Sequence, residues 1–196
     1  MSQSPFNSPP SAEHLEQLAA ARIRRVKIDR AVRSALFSAW TLAIFAAFSF
    51  VGGILSVSGM AIAIGLGFIA YFEFRGAAQM KRLDINGPKN LAINQIVLGA
   101  LLFIYGAYSL WASLHAPPAL SELSDADWQA LGMKSTDLQD LERMIWIVLY
   151  ITVMVVAIIA PGLTAWYYST RAKFIKAYLS ETPQWIVELQ KAGMSV

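Results

Sequence analysis

Long apolar stretches alternate with short charged ones along this chain, and the sorting is complete. All 29 Lys, Arg, Asp and Glu residues fall within residues 1–33, 73–90, 115–143 or 169–196. The intervals 34–72, 91–114 and 144–168 hold none, and they are 39, 24 and 25 residues long. An uncharged apolar run of about 18 residues or more is a spanning-helix candidate, because roughly 20 residues at 1.5 Å rise cross a hydrocarbon core of about 30 Å. The first interval is too long for one crossing, since a straight helix over it measures about 58 Å. Gly52-Gly53 and Ser56-Val57-Ser58-Gly59 supply turn chemistry near its middle. The pattern therefore predicts spans at about 33–53, 58–75, 91–114 and 142–168, an all-α membrane bundle of four transmembrane helices.

The signs of the charges agree with a hairpin in the first interval. Residues 1–33 carry six basic and three acidic groups, and 73–90 and 169–196 each carry four and two. Residues 115–143 carry two and six. Basic loops stay in the cytoplasm, so both termini are expected there, with an acidic outer loop at 115–141. Small residues suit close helix contact in lipid, where no hydrophobic drive brings helices together. Ala35, Ala39, Ala43 and Ala47 recur every four residues, and Ala61/Gly65 and Ala63/Gly67 form small pairs. These are read as the seam between the first two spans rather than a homodimer face. A stripe of Gln95, Gly99, Leu102, Gly106, Ser109 and Ser113 runs along the third span. Tyr150, Ala157, Pro161, Thr164 and Tyr168 form its counterpart on the fourth, where Pro161-Gly162 is expected to kink the helix. Such stripes mark helix contact or, less commonly, a path.

Residues 1–10 are polar and proline-rich and read as disordered. Ser11 is a candidate N-cap for a basic amphipathic helix over 11–32. Its Arg22, Arg24, Arg25 and Lys27 are candidates for headgroup contact, although a plain juxtamembrane helix accounts for them too. No cleavable signal is expected, since the apolar run starts late and is too long. In the loop, Ser124 with Asp127 and Thr136 with Gln139 predict a short helix at 125–131 and one from 137 that continues into the fourth span. The loop acids lack calcium-loop spacing and read as capping and solvation. Trp166-Tyr167-Tyr168 forms an aromatic belt. Beyond it, a tail at 169–196 holds a helix opened by Thr182-Pro183 and ending near Gly193, its apolar face on the bilayer or on the N-terminal helix.

Composition narrows the chemistry. Only 15% of residues are charged and 56% are hydrophobic, against about 25% charged in soluble domains. There is no cysteine, which excludes disulfides and thiolate chemistry, and His14 and His115 are too few for a histidine metal site. The pI near 9.2 follows from topology and not from a nucleic-acid partner. No phosphate loop, zinc-protease helix or serine elbow occurs, so neither an enzyme nor a cofactor is expected.

The densest polar set is the segment between the second and third spans: Glu73, Arg75, Arg82, Asp84, Asn94 and Gln95. A carboxylate at that depth needs partners, and Arg75, Arg82, Asn94 and Gln95 are the candidates. The preferred reading is a polar latch that fixes helix register; the alternative is a proton, cation or headgroup site. Counted from Gly87, Glu73 and Gln95 are not level, so contact between them predicts a bend at Gly76. The segment, as Glu73/Arg75, Arg82-Leu83-Asp84 and Asn94-Gln95, resembles that of small multi-span inner-membrane proteins of bacteria. That resemblance covers about 25 residues and implies a bacterial inner membrane but no activity. The expected role is a scaffold or accessory subunit whose partners are the bilayer, other membrane subunits or itself. The alternative is a small transporter or channel with a path along Gln95, Gly99, Gly106, Ser109, Ser113 and Thr164.

Overall fold

The computed structural model of the chain describes residues 11–53, 56–116 and 135–191. The expected disordered start, the helix at 125–131 and the tail end near Gly193 lie outside them. Among the described residues six helices follow in order: α1 (Ala12–Gly53), α2 (Val57–Lys81), α3 (Asn86–His115), α4 (Ser135–Ser169), α5 (Ala172–Glu181) and α6 (Gln184–Lys191). No strand occurs among the described residues. Four helical stretches are long and apolar enough to cross a membrane, as the charge sorting predicts. The basic helix and the first span are one element, however. α1 runs unbroken for 42 residues, about 63 Å. It contains no proline, and no glycine before Gly52, so nothing interrupts a segment rich in good helix formers.

The described residues divide into two compact units, one reaching to Asn94 and resuming at Ala165, the other comprising Gln95–Thr164. In the first unit α1 and α2 pack along most of α2. Their closest approach is at the turn, where a Cβ on Gly53 would lie 2.5 Å from the Gly59 carbonyl carbon. Ser56 caps α2 there by accepting from Gly59 N. The buried positions of α1 include the row Ile28, Val32, Ala35, Ala39, Leu42 and Ala46, flanked by Ala31, and those of α2 include Ala63, Leu66, Ala70, Glu73, Ala77 and Met80, flanked by Ile69 and Gly76. Both rows alternate steps of three and four, the repeat of a left-handed supercoiled pair. The expected four-residue stripe is thus only half right. A strict four-step row rotates off a 3.6-residue helix, so Ala43 is half-buried and Ala47 exposed. Gly67 likewise faces open space. Counted outward from the Gly53–Gly59 contact, Ala46 falls opposite Leu66, Ala39 opposite Glu73 and Val32 opposite Met80.

The turn between α2 and α3 is built from the Arg82-Leu83-Asp84 segment. Leu83 has φ 60°, its N–H bonds Met80 O at 3.0 Å and Asp84 N–H bonds Gln79 O at 3.0 Å. This is a Schellman ending with leucine in the left-handed position that glycine usually takes. Burial of the Leu83 side chain in the core offsets the strain. Asp84 Oδ1 accepts from Asn86 N at 2.9 Å and so opens α3. Two close contacts then fix the register. A Cβ on Gly87 would lie 2.8 Å from Met80 N, and one on Gly76 would lie 2.6 Å from Leu91 Cγ. Gly76→Ala is therefore expected to cost about 2 kcal/mol by overpacking, and Leu91→Ala about 3 kcal/mol by leaving a cavity. The double variant should lose clearly less than the two together, because the new methyl occupies space the leucine vacates. Additive losses in thermal unfolding would remove this contact from the account.

The best-buried core of this unit lies among the charged segments and the adjoining ends of the apolar runs, not along the middle of those runs. Ala21, Ile28, Ala77, Met80, Leu83, Leu91, Tyr168, Ile175, Tyr178 and Ile186 form one cluster. By contrast Phe37, Phe48 and Val51, in the uncharged part of α1, are more than 70% exposed. Water drives apolar burial and lipid does not, which accounts for a packed core at one end and a bare apolar surface on the other. The tail rests on the N-terminal helix. Ile186 and Val187 join the cluster, Trp185 Nε1 donates to Gln17 Oε1 at 3.3 Å, and the His14 and Trp185 rings meet edge to face. Thr182 does not cap through its hydroxyl, which is buried without a hydrogen bond. Pro183 O accepts instead from Ile186 and Val187.

In the second unit α3 and α4 approach closely at two glycines. A Cβ on Gly99 would lie 2.7 Å from Ala157 O, and one on Gly106 would lie 2.9 Å from Met154 Cγ. Ala157 O is the carbonyl whose helical donor Pro161 lacks. α4 nonetheless runs on through Pro161 without a break, with the Gly99 backbone against that carbonyl.

Candidate functional site

Glu73 is fully buried, at a seam position of α2 that apolar residues otherwise fill. Asn94, on α3, donates from Nδ2 to Glu73 Oε2 at 2.7 Å and to Ile69 O at 3.0 Å. Tyr168, near the end of α4, donates to Glu73 Oε1 at 3.3 Å. Each carboxyl oxygen thus faces a neutral donor from a different helix. The residues come level because the turn is centred between Leu83 and Asp84. The pairs 80/87, 76/91 and 73/94 all share the midpoint 83.5. The expected bend at Gly76 is therefore absent, and α2 continues unbroken to Lys81. The error lay in placing the turn at Gly87, which already belongs to α3.

The remaining members of the polar segment are placed differently. Arg75 and Arg82 are exposed, and Asp84 serves the turn. Gln95 is buried and engaged by the protein. Asn90 Nδ2 donates to Gln79 Oε1 at 2.9 Å, a second polar tie between α2 and α3 nearer the turn. Tyr168 was not legible as the partner of Glu73. The adjacent Tyr167 fits the belt equally well, and only the helix phase puts one inward: Tyr168 is 0% exposed.

Of the headgroup candidates, Arg24 bonds Glu181 O at 2.8 Å and pairs with its carboxylate at 3.2 Å. Arg25 bonds Lys81 O at 3.3 Å and Asp29 at 3.2 Å. Arg24 thereby braces the end of α5 and Arg25 the end of α2, where cations complement the helix dipole. Arg22 and Lys27 are exposed.

The stripe of the third and fourth spans is mostly occupied with helix contact. Gly99 and Gly106 serve the α3–α4 approach, and the Ser113 and Thr164 hydroxyls bond carbonyls of their own helices, Leu110 O and Ala160 O. Ser109 is half-buried. A groove of about 410 Å³ in this unit is lined by Ile96, Gly99, Phe103, Ala157, Pro161 and neighbours, none of them ionisable. Gln95, Ser109 and Thr164 do not line it. Among the described residues no group of three His, Asp or Glu side chains is placed to hold a metal ion. No protein-family model, curated protein or solved structure matches the chain.

Proposed function

We propose that the chain is a non-catalytic scaffold or accessory subunit of a membrane complex. It forms a four-span bundle in a bacterial inner membrane, with both termini and their amphipathic helices in the cytoplasm. The observation that carries this reading is how the polar groups are used. Glu73, Asn94 and Tyr168 tie three helices together, the stripe hydroxyls bond their own backbones, and the groove between α3 and α4 is apolar. Polar groups committed to packing favour a rigid platform, whereas a solute path needs groups free to exchange partners. The exposed aromatic face of α1 and α2, with Phe37, Trp40, Phe45 and Phe68, is surface for lipid or for other subunits.

The test is extraction from native membranes in a mild detergent, followed by mass-spectrometric identification of what stays bound. A stoichiometric second protein is the expected result. Isolation of the chain alone, together with solute flux after reconstitution into vesicles, would favour a transporter and sink the scaffold.

A further inference from the structure

Phe174, in the first turn of α5, has three cations around one ring. Lys27 Nζ lies 5.0 Å from the ring centroid, Lys173 Nζ 5.3 Å and the Arg171 guanidinium carbon 5.3 Å. That guanidinium also lies 4.0 Å from the Tyr167 centroid. An aromatic face attracts a cation through its quadrupole, yet a benzene ring offers only two faces. Three like charges held this close to one point repel one another. The Arg24–Glu181 and Arg25–Asp29 ion pairs do not include them. Arg171 Nε is buried and meets no hydrogen-bond acceptor. The cluster is not a local charge run either, since Lys27 comes from α1 and the others from the far end of the chain.

Its depth is equally specific. Residues 144–168 carry no charge, and Arg171 is the first charged residue after them. The cations therefore stand where the apolar surface of α4 gives out, and Trp166, 70% exposed, offers apolar surface just before it. The geometry points to a binding site for the phosphate group of an anionic phospholipid. Lys27, Arg171 and Lys173 donate to the phosphate oxygens, and the acyl chains lie along the exposed apolar surface beside Trp166. Arginine and lysine hydrogen bonds to an anion are charge-assisted and short, and the anion removes the repulsion that the bare cluster carries. The site requires only that the chain lies in a bilayer, and not that it acts as a scaffold.

The test uses the full chain purified in neutral detergent, titrated with phosphatidylglycerol or phosphatidylcholine and read by native mass spectrometry. Phosphatidylglycerol is expected to be retained in preference to phosphatidylcholine. K27Q/K173Q alters two exposed side chains and so leaves the fold intact; it should weaken phosphatidylglycerol binding about thirtyfold. R30Q/R33Q removes the same charge from exposed positions outside the cluster and should leave binding unchanged. Equal losses in the two variants would mean diffuse attraction and overturn the site, as would no loss in the first. Displacement of the lipid by equimolar inorganic phosphate would overturn the lipid assignment in favour of a free anion.

Discussion

Glu73→Ala is expected to lower the stability of the purified protein by about 2–4 kcal/mol. The carboxylate is fully buried and receives Asn94 Nδ2 and the Tyr168 hydroxyl. Truncation strands both donors where water cannot reach them, at about 1–3 kcal/mol each. Asn94 keeps its bond to Ile69 O, which holds the total below the sum of two complete losses. Glu73→Gln, which preserves shape and one acceptor, should cost less. Thermal unfolding in a mild detergent measures both variants. If stability stayed at the wild-type level while solute flux collapsed, Glu73 would be a working group and not a latch.

The second large effect is expected at the α1–α2 turn, where adjacent glycines should respond in opposite directions. A Cβ on Gly53 would sit 2.5 Å from the Gly59 carbonyl carbon and 2.8 Å from its Cα. Backbone atoms have no rotamer by which to move aside, so Gly53→Ala must spread the two helices. The expected loss is about 3 kcal/mol, at the upper end for overpacking. Gly52 has nothing within 4 Å of its would-be Cβ. Gly52→Ala should therefore gain up to about 1 kcal/mol, the helix propensity of alanine over glycine. Thermal unfolding of the two variants side by side decides the matter, and equal responses would mean that the turn is not closed as described.

Legibility followed the strength of the physical constraint. Charges are so costly in hydrocarbon that their absence alone located three apolar stretches, and Gly52-Gly53 with Ser56 located the turn that divides the longest of them into two spans. The α2–α3 turn was readable from the charged segment but, counted from Gly87, was misplaced by a few residues. Asp84 already caps α3 and Leu83 accepts a left-handed backbone without being glycine. That small error created the expectation of a bend at Gly76. The alanine seam drifts for a similar reason, since a strict four-residue spacing does not track a 3.6-residue turn over several repeats. Within the candidate site, Asn94 was among the partners named for Glu73. Tyr168 was hidden because its pairing spans 95 residues and depends on α4 returning to α2, which no local pattern encodes. The docking of α6 on α1 through Trp185 and Gln17 is also non-local, and was open between two surfaces for that reason.

An uninterrupted α1 has a mechanical corollary. A rod pinned by Trp185 at Gln17 and wedged against Gly59 at Gly53 has no joint at which to absorb a twist. One continuous helix therefore connects the α6 contact at Gln17 to the Gly53–Gly59 contact at its far end.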